Sequence, residues 1–320
     1  MQNKRSVAFG HFPRIRIQDG EHLLWNPLKK QAFRQRPEER VRLQLLEYLI
    51  LQSSIPTSRI ATETAVPSRY SRGRTDILCH DPDFQPWLLI ECKADNVKIG
   101  PKTALQSAHY NRHISAPYIM MSNGIQDLLF DMSPKPVALE PSGYPPEIKP
   151  GFPFTSMEPS YWTGRGFLPE NMDSDAASAL SALLCHLFHQ SGESRSYLTL
   201  NAPHESKVYT HFYLLTNAPG SPDSLLAFTV MAAGPGDAVI VAAGNRRKKI
   251  TGILTIAIDQ SGTFHSPELI MAENDNIITP DISPVEQICL EPSSARAGKP
   301  AENIIPKLAR ALEELLLHGK

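Results

Sequence analysis

Residues 73–95 read GRTDILCHDPDFQPWLLIECKAD, and this stretch decides the fold. RTDILCH and WLLIECK are short runs rich in Ile, Leu, Trp and Thr, as β-strands are. DPDFQP between them gathers two prolines and two aspartates, which is turn chemistry. The spacing predicts an antiparallel hairpin closing around residues 81–86. Side chains two apart on a strand share a face, so Glu91 and Lys93 point one way and Cys92 the other. If His80 faces Trp87, Asp76 falls directly across from Glu91. Side chains so opposed have Cβ atoms about 4.5–5.5 Å apart. Two carboxylates at that distance repel, and a divalent cation removes the penalty. The alternative is an ordinary ion pair on a solvated sheet face. The WLLI run before Glu91 weighs against it, because an unpaired carboxylate on a buried strand is costly.

Asp76 and Glu91 are therefore candidate metal ligands. Hard oxygen donors suit Mg²⁺, which keeps several of its waters, and Mn²⁺ can take its place. A cation so held can activate a water and neutralise charge building on a phosphodiester. Lys93 can orient that water or help deprotonate it. Cys92 turns its side chain away, so its candidate contribution to the metal is a backbone carbonyl rather than sulfur.

Working outward, residues 1–30 are mixed and basic, an extended arm or short strands. Pro37 followed by two glutamates predicts a helix start, since proline suits the first helical position and acids favour the positive end of the helix dipole. In PEERVRLQLLEYLILQ, Val41, Leu45, Tyr48 and Leu49 recur at helical spacing. SRIATETAV reads as a strand. SRYSRGR is turn-like, and its Arg69, Arg72 and Arg74 lie just before Asp76, where they can hold phosphates or serve as solvated loop charges. KTALQSAHYNRHI reads as a helix and APYIMMSNG as a buried strand. The order α–β–β–β–α–β predicts an α/β fold, a mixed sheet with helices packed on it.

Asp76 followed by Glu91-Cys92-Lys93 resembles the D…(D/E)-x-K signature of PD-(D/E)XK nucleases. The phrases RPEERVR, GRTDILCHD, LLIECKAD and ALQSAHYNRHISAPYIMMSNG together resemble the N-terminal nuclease domain of type I restriction enzyme R subunits, over roughly residues 25–130. The resemblance implies a restriction-endonuclease-like fold and a Mg²⁺-dependent nuclease, an endonuclease acting on DNA, with RNA left open. It implies an acidic metal-site residue on the helix before the sheet. Glu39 is the choice, Glu38 beside it is the alternative, and pairing with the helix dipole explains either without a metal. It also implies a Gln-x-x-x-Tyr element, found as Gln106 and Tyr110. These are four apart and share a helix face, where they can contact the nucleic-acid backbone or support Lys93. A half-buried polar stripe is the plainer reading of that pair. The restriction subunits continue into a helicase motor, but this sequence holds no G-x-x-x-x-G-K-[ST] motif.

Residues 131–165 are rich in Pro, Gly and Ser and read as a connection whose aromatics pack in part. Residues 166–320 then form a second domain. DSDAASALSALLCHLFHQSG reads as a helix. YLTLNA, THFYLLT, LLAFTVMA, AVIVAA, ITGILTIAI and TFHSPELIMA read as strands, and ENIIPKLARALEELLLHG as a closing helix. This half is expected to be α+β with a mainly antiparallel sheet, offering a surface to a partner protein or another copy of the chain.

Bulk composition bounds the rest. At 320 residues, two domains are expected. The net charge of −1 conceals an asymmetry, because residues 1–124 carry 18 Lys and Arg against 11 Asp and Glu. A basic front half favours an anionic partner, of which nucleic acid is the commonest; scatter of charge between two domains is the plainer explanation. Cys79, Cys92, Cys185 and Cys289 stand singly, without a C-x-x-C pair for zinc. No apolar run is long enough for a membrane span or a secretory signal, so a cytoplasmic setting is expected. Against the nuclease stand two rivals: a catalytically silent nucleic-acid-binding or assembly module that keeps the fold, and a structural interaction protein whose C-terminal module dominates.

Overall fold

The computed structural model describes residues 5–18, 21–65, 74–100, 111, 113–133, 135–149, 158–190, 194–200, 209–218, 221–246, 249–265, 268–271 and 277–278. Contacts divide the chain into two compact units, Met1–Phe154 and Thr155–Lys320.

The front unit opens with a three-stranded antiparallel sheet, β1 (Arg14–Gln18), β2 (Glu21–Asn26) and β3 (Gln31–Phe33). Helix α1 (Pro37–Leu51) follows, with Pro37 in its first turn beside Glu38 and Glu39. Val41, Leu45, Tyr48 and Leu49 are buried as their spacing predicts, and so are Leu43 and Leu46. The wider burial follows from packing, for α1 touches β2 as well as β5 and β6.

The main sheet runs β4-β5-β6-β7-β8-β9 in chain order: β4 (Ile60–Ala65), β5 (Arg74–His80), β6 (Pro86–Cys92), β7 (Tyr118–Ser122), β8 (Asp127–Asp131) and β9 (Val137–Leu139). It is a mixed sheet, because β6 and β7 pair in parallel from Leu88↔Tyr118 to Cys92↔Ser122 while the other neighbours are antiparallel. A parallel pair needs a crossover connection. Residues 93–117 make it, and Asn111, His113 and Ile114 are helical there; most of the helix expected in this stretch lies outside the described residues.

The β5–β6 hairpin sets the site. Ile77↔Ile90, Leu78↔Leu89 and Cys79↔Leu88 are paired, and one more step in that register puts Asp76 opposite Glu91. The expected His80–Trp87 pair does not form. A bulge between Cys79 and His80 sets His80 against Pro86 instead. The turn explains the shift: the Asp81 N–H donates to the Gln85 carbonyl, and Asp81 Oδ1 accepts from the Asp83 and Gln85 N–H groups. Ile77, Cys79, Leu88, Ile90 and Cys92 join the core that includes Leu45, Leu46 and Leu49 of α1. Leu78 and Leu89 instead meet Ala116.

The front sheet reaches past residue 131. β9 pairs with β8, and Ile148 is buried in the same core. The Pro-rich composition concealed this strand. β9 is a three-residue edge strand directly after Pro136, and edge positions are where proline is tolerated beside a ladder.

The C-terminal unit holds a seven-stranded antiparallel meander in chain order: β10 (Ser194–Leu200), β11 (Tyr209–Ala218), β12 (Ser221–Ala232), β13 (Ala238–Arg246), β14 (Lys249–Ile258), β15 (Glu268–Met271) and β16 (Ile277–Ile278). Helix α2 (Ser174–Cys185) packs against β12. Asp173 caps it, its Oδ1 accepting from the Asp175 and Ala176 N–H groups, which satisfies donors that a helix start leaves unpaired. Trp162, Phe167 and Phe188 pack together beside it. The expected closing helix lies outside the described residues.

Candidate active site

The first turn of α1 separates two adjacent glutamates. Glu38 is exposed and Glu39 is 7% exposed, because only Glu39 lies on the inward face. Arg42 follows on that face at the i+3 spacing that makes helix side chains neighbours. Its Nη2 donates to Glu39 Oε2 and lies 3.5 Å from Glu63 Oε1, while its Nη1 donates to Asp76 Oδ1 at 3.2 Å. One guanidinium thus spans a helix and two strands. Lys29 pairs with the other oxygen of Glu63.

Glu63 reaches this point through an irregular ladder. Thr62↔Ile77 and Thr64↔Thr75 are paired, so Glu63 stands opposite Asp76 without a ladder pair of its own. Its φ is 52°, in the left-handed region that non-glycine residues seldom occupy. Three neighbouring strands therefore bring Glu63, Asp76 and Glu91 into line.

At the end of the hairpin, Asp76 Oδ2 accepts from the Cys92 N–H at 2.7 Å. The Asp76 side chain thereby satisfies a main-chain donor where the β5–β6 pairing stops. Lys93 Nζ donates to Glu91 Oε1 at 2.7 Å. Cys92 itself is buried in the core. Burial first, then the charges of Asp76 and Glu91, raises its thiol well above the ordinary range.

The electrostatics follow from this crowding. Burial, then the charge of Glu91, pushes Asp76 up to about 6, although the Cys92 N–H, Arg42 and Lys93 pull the other way. Burial works against the Lys93 ammonium, but its hydrogen bond to Glu91 and the charges of Glu91 and Asp76 outweigh that and raise its pKa. Burial also acts to raise Glu63, yet Lys29 and Arg42 win and hold it below the ordinary carboxylate value.

Two observations bear on whether a divalent cation fits. Glu39 Oε1 is buried and meets no donor among the described residues, as does Arg42 Nε for acceptors. Asp76 and Glu91 repel, which an added positive charge would relieve. Among the described residues, no three His, Cys, Asp or Glu side chains stand grouped for a metal, and the Arg42 guanidinium lies between Glu39, Glu63 and Asp76. The donors are carboxylate oxygens, the type a hard cation takes, and the Arg42 guanidinium stands among them.

Arg42 and Glu63 were not singled out by sequence reasoning. Arg42 lies inside the PEERVR phrase, three residues after Glu39, so helical spacing alone could have found it. Glu63 could have been found only by extending the pairing argument one strand further, across the SRYSRGR stretch. Of the other candidates, Arg74 opens β5 and is exposed. Arg69, Arg72, Gln106 and Tyr110 lie outside the described residues.

Residues 37–142 match the family model described as type I restriction enzyme R protein N terminus (HSDR_N). This segment is similar to the N terminus of type I restriction enzyme R proteins. The match begins at the first residue of α1, ends just beyond β9 and takes in Glu39, Arg42, Glu63, Asp76, Glu91 and Lys93, over about a third of the chain. No curated protein and no solved structure matches the chain.

Proposed function

We propose that the front unit is a Mg²⁺-dependent nuclease that hydrolyses DNA phosphodiester bonds, as an endonuclease. The observation that carries this reading is the meeting of Asp76, Glu91 and Lys93 at the end of one hairpin, inside a segment of restriction-enzyme type. Asp76 and Glu91 would hold the cation, with Glu39 and the Cys92 carbonyl as further ligands, and Mn²⁺ can substitute. When bound, the cation supplies an activated water and neutralises charge at the phosphodiester.

The chain's own groups do the rest. Lys93, tethered to Glu91, places an ammonium beside the carboxylates, where it can hold a water or a phosphate oxygen in position. Arg74, with Arg69 and Arg72 before it, would grip phosphates through charge, so affinity should fall as salt rises. Gln106 and Tyr110 would contact the nucleic-acid backbone or support Lys93. The C-terminal unit would serve a partner or a second copy of the chain.

One assay tests the reading. Supercoiled plasmid, single-stranded DNA and single-stranded RNA are incubated with the full chain in Mg²⁺, in Mn²⁺ and in EDTA, beside Asp76→Asn. The expected result is nicked and linear plasmid that appears only with metal and only with the unaltered chain. A chain that binds DNA but cleaves in neither metal would overturn the reading in favour of a silent binding module.

A further inference from the structure

The family signature names an acidic helix residue, an aspartate and a Glu-x-Lys pair. The structure puts two more charged side chains among them. We propose that Glu63 is a further carboxylate of the cation site, and that Arg42 is its built-in counter-cation, holding the carboxylates together until a divalent ion displaces it. This inference rests on the metal-dependent reading above and deepens it.

The argument begins with convergence. A single planar guanidinium can touch three carboxylates only if they come together around it. Arg42 does so with Glu39 from α1, Glu63 from β4 and Asp76 from β5. A guanidinium is a fixed fork of donors that stays charged at any working pH, so it can occupy a cation's place without being one. Glu39 supplies the independent sign that a ligand is wanted. Its carboxylate is more than nine-tenths buried in this cluster, and Oε1 has no donor among the described residues. Arg42 satisfies one oxygen of Glu39 and leaves the other bare. A divalent ion among the carboxylates would serve an oxygen that Arg42 does not reach.

Glu63 belongs to the same set by position. It stands in register opposite Asp76, as Asp76 stands opposite Glu91. Its left-handed φ breaks the β4–β5 ladder at that one residue. A glutamate that served only as a partner for the surface Lys29 would have no need to interrupt a ladder directly across from Asp76. Charge gives the direction of the exchange. Arg42 and an incoming cation compete for the same oxygens, so removing the guanidinium favours the metal.

Mn²⁺ binding to the full chain tests this, followed by titration calorimetry and by melting with and without Mn²⁺. Wild type is compared with Asp76→Asn, Glu63→Gln, Arg42→Gln and, as a control on the exposed side of the same helix, Glu38→Gln. Wild type and Glu38→Gln should bind alike, and Asp76→Asn should lose binding. Glu63→Gln should weaken Mn²⁺ by about 10- to 100-fold, the usual loss when a supporting group of a metal site is removed. Arg42→Gln should bind Mn²⁺ more tightly, by about tenfold, since it removes one positive charge a few ångströms from the ion. Its metal-free melt should fall while its Mn²⁺-induced rise in Tm grows. Should Arg42→Gln not melt cooperatively, Arg42→Lys takes its place; a single ammonium cannot span three carboxylates, and it too should tighten Mn²⁺.

The failures are distinguishable. A wild-type chain that takes up no Mn²⁺ overturns the metal-dependent reading and this inference with it. Binding that Asp76→Asn abolishes, but that Glu63→Gln and Arg42→Gln leave equal to the control, overturns this inference alone. Weaker Mn²⁺ binding in both Arg42 variants would make Arg42 a structural tie and not a competitor.

Discussion

The six-stranded sheet of the front unit buries charge, whereas the seven-stranded sheet of the C-terminal unit buries almost none. Around the first, Glu39, Glu47 and Asp127 are all less than 9% exposed. Around the described strands of the second, the buried polar residues are Arg165, Ser181, His211, Thr216, Ser224 and Thr229, one of them charged and none a carboxylate. Their ladders differ as well. β12 and β13 pair without a break from Ser224↔Arg246 to Ala232↔Ala238, and β4 and β5 skip the pair at Glu63 and Asp76. The second sheet packs apolar side chains inward, and its two register shifts, at Asn217/Ala218 and Gly244/Asn245, fall near strand ends. The first keeps a left-handed glutamate, two repelling carboxylates and an orphaned oxygen, features that cost stability and collect where chemistry is done.

The largest expected effect would separate the sheets by chemistry. Lys93→Ala should lower the cleavage rate about 10²- to 10⁴-fold, the usual weight of a group that assists proton transfer, while Mn²⁺ still binds. Timed plasmid nicking beside calorimetry checks this. If the variant nicked at the wild-type rate, Lys93 would be only a counter-ion to Glu91.

A comparable free energy on the other side should appear as stability and leave the site alone. Phe228 is 1% exposed on β12, so Phe228→Ala should cost about 3–5 kcal/mol through the cavity it leaves. Denaturant unfolding would report that loss, and Mn²⁺ affinity should be unchanged. A matching loss of Mn²⁺ affinity would show that the two sheets are not separate in their duties.

Buried charge in the front unit should also appear in the pH dependence of stability. Burial pushes Asp127 up to about 6, against hydrogen bonds from Ser122, the Val7 N–H and Ser6. A carboxyl whose pKa rises on folding is ionised at a cost near neutrality. The cost shrinks as pH falls from about 6 toward 3.8, the ordinary value, below which both states are protonated. Asp127→Asn should therefore melt higher than wild type at pH 7, by at most about 3 kcal/mol, with the gap closing by pH 4. Melts at three pH values would decide it, and a gap that widened on acidification would refute the sign.

The smallest effect sharpens the comparison of backbones. Gly124, in the turn from β7 to β8, has a φ of +78°, and a Cβ there would come within 2.9 Å of Gln44 Oε1. The side-chain end can move aside but the backbone cannot, so Gly124→Ala should cost about 1–2 kcal/mol. Denaturant midpoints would measure it.

Much of the front unit was legible because its signals are local. Short runs of strand-type residues and a Pro/Asp-rich turn marked β5 and β6, and counting across that turn placed Asp76 opposite Glu91. Proline and two glutamates marked the start of α1. The bulge at Cys79/His80 was not legible, because the bonds that Asp81 makes within the turn depend on how tightly it closes. β9 was hidden by a composition that reads as loop.

The sequence by itself determined which residue types could do chemistry and, through strand alternation, which of them share a strand face. Only the tertiary structure turned Glu39 inward and left Glu38 exposed, because the inward face of α1 is set by what packs on it. Only the tertiary structure drew in Arg42 and Glu63, which lie 34 and 13 residues from Asp76 along the chain. Their meeting depends on how a helix and three strands come together, and side-chain periodicity within one element carries no information about its neighbours.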